Sequence, residues 1–138
     1  MSDKSSFINT FKEKNYSLLV VKNNEIIKKS FAKGIRELLS LYEKQSKLLK
    51  NALIGDKIVG AAAAAIYKVS DIKYCYAKII SQQAVKTFKQ NNISFDFHTK
   101  VEHIKNRAKD GLCPIEKLAL AANNESHAIK EIKNFINN

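Results

Sequence analysis

Five consecutive alanines, Ala61 to Ala65, stand between Gly60 and Ile66-Tyr67, and they narrow the choice of architecture more than any other stretch. Alanine is the strongest helix former, and a helix this featureless has no polar side to turn to water. Its small side chains let it lie close against a sheet and be covered on its other side as well. Such a helix belongs in a layered structure with strands beside it.

The rest of the chain supplies the strands. Residues 1 to about 15 begin polar and then place Phe7, Ile8 and Phe11 at helical spacing, a short amphipathic N-terminal helix. The runs Tyr16 to Lys22 and Glu25 to Ser30 flank Asn23-Asn24 and read as a β-hairpin whose first strand is the more buried. A one-sided helix follows from Ile35 to Leu49. Strand candidates come next at Asn51 to Ile58, Ile72 to Ile80 and Ile93 to Phe97, separated by the alanine helix and a helix over Gln82 to Gln90. Val101 to Asn106 is expected as a short helical turn, and Pro114 to Ile136 as helix with a break near Asn123-Asn124.

Strands alternating with helices imply crossover units and a mainly parallel sheet, here with an antiparallel leading hairpin. The expected fold class is α/β: three layers, with a five-stranded mixed sheet flanked by helices. With 138 residues and no internal repeat or linker, the expected organisation is an N-terminal arm over 1–15 and a single domain over 16–138.

Composition closes off several function classes. The apolar stretch from Ile58 to Tyr67 is far shorter than the roughly 20 residues a membrane span needs, and the N-terminus has no apolar signal core. Two cysteines, Cys75 and Cys113, do not make a disulfide framework, so a cytoplasmic, reduced setting is expected. The net charge of +11 is discounted as a nucleic-acid signal. Only two of the 24 basic residues are arginine, Arg36 and Arg107, and the flat guanidinium fork is what phosphate and base recognition most uses. Loose attraction for anions is all that the charge itself implies.

Glycine and proline are scarce, at four and one, and their placement is uneven. Gly55 and Gly60 bracket Asp56-Lys57, while Gly111 and Pro114 bracket Cys113; only Gly34 lies elsewhere. Ligands of open α/β sheets sit at the carboxyl ends of strands, where such loops gather. In GLCPIE, Cys113 reads as a helix N-cap with Pro114 at the first helical position and Glu116 three residues after the cap. Free backbone N–H groups and the helix dipole favour a thiolate there, the setting of a nucleophilic cysteine. A small buried cap residue is the alternative. Asp56 and Lys57 could supply a carboxylate and an ammonium to the same pocket, or simply form a salt-bridged turn. Arg107, after Asn106, is a candidate anion anchor. Cys75, mid-strand, reads as a core thiol.

Metal donors are poorly arranged. His98 and His103 are five apart, His127 stands alone, and the chain has neither C-x-x-C nor H-x-E. No cofactor is expected, since Walker-type and G-x-G-x-x-G loops are missing as well.

The blocks from Asp56 to Ala64 (DKIVGAAAA) and from Gly111 to Glu116 (GLCPIE), with IKYCYAKIIS between them, resemble the bacterial domain-of-unknown-function-1893 family over about residues 17–136. That family is similar in fold to cytidine deaminases, so the resemblance implies a cytidine deaminase-like sheet. Zinc deaminases open two helices with H-x-E and P-C-x-x-C. The matching starts here look like Gly60-Ala61-Ala62 and Ser81-Gln82-Gln83-Ala84, which cannot hold zinc, and a zinc-dependent deaminase is therefore not expected. The family's recurring polar residues fall on Asp56, Lys57, Asn106, Arg107 and Cys113. The resemblance thus implies Cys113, Asp56 and Lys57 as catalytic candidates, and Gly60, Ser81, Asn106, Arg107 and Gly111 as ligand-binding ones.

Two functions follow as expectations. One is a metal-independent enzyme or covalent binder using Cys113 on a nucleotide-like or small anionic metabolite. The other is a non-catalytic nucleotide or metabolite sensor. A basic nucleic-acid module ranks behind both, and no nucleic-acid or membrane partner is expected. By resemblance, a homodimer is.

Overall fold

The computed structural model describes residues 3–137; residues 1–2 and 138, the outermost positions of the expected arm and domain, lie outside it. The elements follow the expected order: α1 (Lys4–Glu13), β1 (Leu18–Lys22), β2 (Glu25–Ser30), α2 (Arg36–Gln45), β3 (Leu53–Val59), α3 (Ala61–Ser70), β4 (Tyr74–Ser81), α4 (Gln82–Gln90), β5 (Ser94–Val101), α5 (Pro114–Ala121) and α6 (Glu125–Asn137). The five strands form one mixed sheet in the order β2-β1-β3-β4-β5. β1 is antiparallel to both β2 and β3, whereas β3, β4 and β5 run parallel.

Alternation along the strands divides the interior in two. Leu18, Val20, Ile54, Cys75 and Ala77 face a large core shared with α2, α3, α4 and α6. Leu19, Val21, Tyr74 and Tyr76 face the other way, onto a smaller core closed by Phe7 and Phe11 of α1. These two phenylalanines sit one turn apart, and α1 is started by Asp3, whose carboxylate accepts the Ser6 N–H at 2.8 Å. Three layers are present as expected, but unequally: among the described residues, α1 is the one helix contributing to the smaller core. The alanine helix α3 is buried from Ala61 to Tyr67, with the sheet on one side and α5 and α6 packed over it.

Two expectations about elements fail. The helix after the hairpin ends at Gln45 and passes into a single 3-10 turn over Ser46–Leu48. More consequentially, Val101–Asn106 is not helical. Pairing with β4 carries β5 as far as Val101, opposite Ser81. The following loop is pinned by a Lys105–Leu112 bridge and by Asn106, whose side chain donates to Asp110 Oδ1 at 2.9 Å and accepts the Asp110 N–H at 3.2 Å.

Asparagine makes most of the sharp bends that glycine usually makes. Asn15, Asn23, Asn24, Asn51 and Asn92 all have positive φ, between 52° and 64°, and of the glycines only Gly34 does. Asparagine tolerates the left-handed region better than other side chains do. That is how a chain with four glycines turns so often.

Candidate functional site

The three parallel strands end beside three helix starts. β3 leads through Gly60 into α3, and β4 leads without a loop into α4, whose N-cap Ser81 accepts the Ala84 N–H at 3.1 Å. β5 leads through the 102–113 loop into α5, with Cys113 at the N-cap and Pro114 first in the helix, as expected. The heads of α3 and α5 meet. Glu116, in the first turn of α5, is buried and accepts the N–H of Ala61 at 2.6 Å and that of Ala62 at 3.3 Å. A carboxylate there satisfies two of the free donors that begin α3 and faces the positive end of its dipole. Burial pushes the Glu116 carboxyl above its usual range, while the two N–H groups and nearby His103 pull it back.

This arrangement changes the standing of several candidates. Gly60 does not offer space to a ligand, because the Glu116 carboxylate fills the volume where a Cβ would stand. Its backbone is ordinary extended chain (φ −103°), so its lack of a side chain matters for room alone. The Ser81 hydroxyl is buried and used in capping. Asn106 closes its own loop, while Arg107 and Gly111 are exposed.

Asp56 and Lys57 do not share a pocket. Adjacent strand residues point to opposite faces, and these two follow that rule. Asp56 turns towards α3, where it accepts the Tyr67 hydroxyl at 2.6 Å and the Ile58 N–H at 3.4 Å. Lys57 lines a cavity on the α1 face with Phe11 and Tyr76. Burial raises the Asp56 carboxyl to about 7, against the lowering effect of the Tyr67 and Ile58 hydrogen bonds. Their own burial, and after it the Asp56 charge, push the Tyr67 hydroxyl and the Cys75 thiol well above their ordinary values. Cys75 is thus a core thiol, as read. Cys113 is half-buried; its main-chain N–H donates to Ile104 O at 3.0 Å. Among the described residues, no hydrogen bond or ion pair joins Cys113 to Asp56 or Lys57, so the expected trio is not assembled.

Beside the end of β5 lies an open cavity of about 550 Å³ that runs along the whole of α4, from Gln82 to Gln90. Gln82 and Gln83 form its α4 edge, Lys86 and Lys100 bring positive charge, and His103 stands beside Glu102 at 3.8 Å. Cys113 does not line it. Among the described residues no three His, Cys, Asp or Glu side chains cluster as a metal site requires. No helix among them is long and apolar enough to cross a membrane.

The model of a family described as "Domain of unknown function (DUF1893)" matches residues 6–136. The match takes in most of α1, which the motif blocks alone leave outside. A solved structure of a DUF1893 family protein from Thermotoga maritima is similar throughout, with a TM-score of 0.87 and 26% sequence identity over 97% of this chain and 92% of that one. No curated protein matches.

Proposed function

Because this chain belongs to the DUF1893 family, whose description names no activity, its function has to be read from its own residues, and we propose that it binds a small anionic, nucleotide-like metabolite at the carboxyl end of the sheet. The observation that carries this reading is the cavity beside α4, where Lys86, Lys89, Lys100 and His103 surround a volume suited to a small molecule. The lysines supply charge for phosphate or carboxylate, and the two glutamines supply amides that can orient a polar ring.

We read the scaffold as deaminase-like. Two parallel strands each run straight into a helix, as in zinc deaminases, where those helix starts carry the metal donors. Here they carry Gly60-Ala61-Ala62 and Ser81-Gln82-Gln83, and Glu116 covers the first of them. On this reading the protein is a metal-independent binder rather than a hydrolase.

A thermal-shift panel of nucleosides, nucleotides and nucleotide sugars tests the proposal. At least one anionic member stabilises the wild type, and the gain is lost in Lys86→Gln/Lys100→Gln. No stabilisation by any of them at millimolar concentration removes the idea.

A second reading, covalent chemistry at Cys113, is favoured by its free, half-buried thiol at the α5 N-cap, where no side-chain capping bond forms. It expects Cys113 to react with iodoacetamide much faster than the buried Cys75, and equal, slow labelling of both removes it.

A further inference from the structure

On the α1 face of the sheet, three basic residues stand in a row across the parallel strands. The register pairs Asp56 with Ala77 and Ile58 with Ile79, and Ala77 with Phe97 and Ile79 with Thr99. Lys57, Lys78 and His98 occupy the positions between, side by side on β3, β4 and β5. All three line one cavity of about 320 Å³, together with Lys12 from the last turn of α1. Lys12 is held over the Tyr76 ring at 5.3 Å.

Like charges directly across neighbouring strands oppose folding, and proteins usually relieve them with a carboxylate. Among the described residues, none of Lys12, Lys57, Lys78 or His98 is in an ion pair. The carboxylate one row back, Asp96, accepts the Tyr74 hydroxyl at 2.7 Å. Lys57 is half-buried, which reduces the water available to screen it.

We propose that Lys12, Lys57, Lys78 and His98 form a binding site for the di- or triphosphate group of a small molecule. With strands about 4.8 Å apart, the row from Lys57 to His98 spans about 10 Å. That length suits a chain of linked phosphates better than a single one. The C-terminal end of α1, through Phe11 and Asn15, walls the cavity on one side. The cavity is half open, with Lys12, Lys78 and His98 exposed at its rim, and its volume is that of a small-molecule site. This site lies on the opposite face from the α4 cavity and does not depend on it.

Calorimetric titration with inorganic tripolyphosphate tests the proposal. Saturable binding near one per chain is expected, weakened about tenfold or more in Lys57→Gln/Lys78→Gln. Lys44→Gln/Lys50→Gln, exposed lysines that line neither cavity, leaves it within about twofold. Without ligand, Lys57→Gln/Lys78→Gln melts at or above the wild-type temperature, because it removes repulsion and no partner, and this separates lost binding from lost folding. The proposal is overturned if the wild type shows no saturable binding, if Lys57→Gln/Lys78→Gln binds unchanged, or if a single-stranded oligonucleotide occupies the row more tightly than tripolyphosphate.

Discussion

Glu116 shows how much one side chain can hold in place. It joins two helices that begin far apart in sequence, and without it two buried N–H groups at the head of α3 lose their acceptor. Glu116→Ala is expected to cost about 1–3 kcal/mol, measured by urea unfolding. Gly60→Ala is destabilising in the wild type, because its methyl group collides with the carboxylate, and much less so in the Glu116→Ala background. A double-mutant cycle with no coupling contradicts the contact. Asp56 gives a second expectation. Its folded-state carboxyl ionises near 7, whereas an unfolded aspartate ionises near 3.9. Between these values the folded chain keeps a proton that the unfolded chain has released, so its contribution makes stability fall as pH rises from about 4 to about 7, then level off. Asp56→Asn removes that part of the slope; a profile identical to wild type across this window rules the assignment out. Glu116, also raised, contributes a slope of the same sign that remains in the variant. The Cys113-Pro114 cap was legible because its signal is local. The Glu116–Gly60 contact was not, although the two motif blocks each contain one member of it, because nothing local reveals which distant loop a carboxylate will reach. The separation of Asp56 from Lys57 was readable from strand alternation, since the expected strand over Asn51 to Ile58 already ran through both residues.

At the scale of elements, α1 differs from the other helices in what depends on it. It covers its face of the sheet mainly through Phe7 and Phe11, and the Phe11 ring lies directly on Gly55, where an added Cβ would come within 2.6 Å of it. Phe11→Ala should cost about 3–5 kcal/mol and loosen α1 selectively. Amide exchange should accelerate across Lys4–Glu13 while α3 stays protected. Equal acceleration in both would mean that α1 is no separate unit. The order of the strands and helices was legible from apolar period in most elements and, in α3, from the helix propensity of alanine. The helical reading of Val101–Asn106 failed for a reason outside the segment. β4 extends to Ser81, and its pairing draws β5 on to Val101. Register with a neighbour overrides the weak preference of a short polar stretch.

For the molecule as a whole, the sheet's two faces are unequal, and no pattern within a helix says on which face it will land. The net charge of +11 acts on this frame as self-repulsion. The melting temperature should therefore rise as sodium chloride increases from low concentration to about 0.5 M, as screening shortens the reach of each lysine. A flat or falling profile would mean that the lysines are already compensated. The asparagine-made bends have a consequence of a different kind. Five of them hold the left-handed backbone, which costs an ordinary L-residue about 1–2 kcal/mol and asparagine somewhat less. They are spread along the chain, and Asn23-Asn24 alone are adjacent, so most of their costs are independent. This protein has room for improvement at its corners, and a series of Asn→Gly replacements there would make it sturdier by adding the residue that in helices and strands most often weakens a fold.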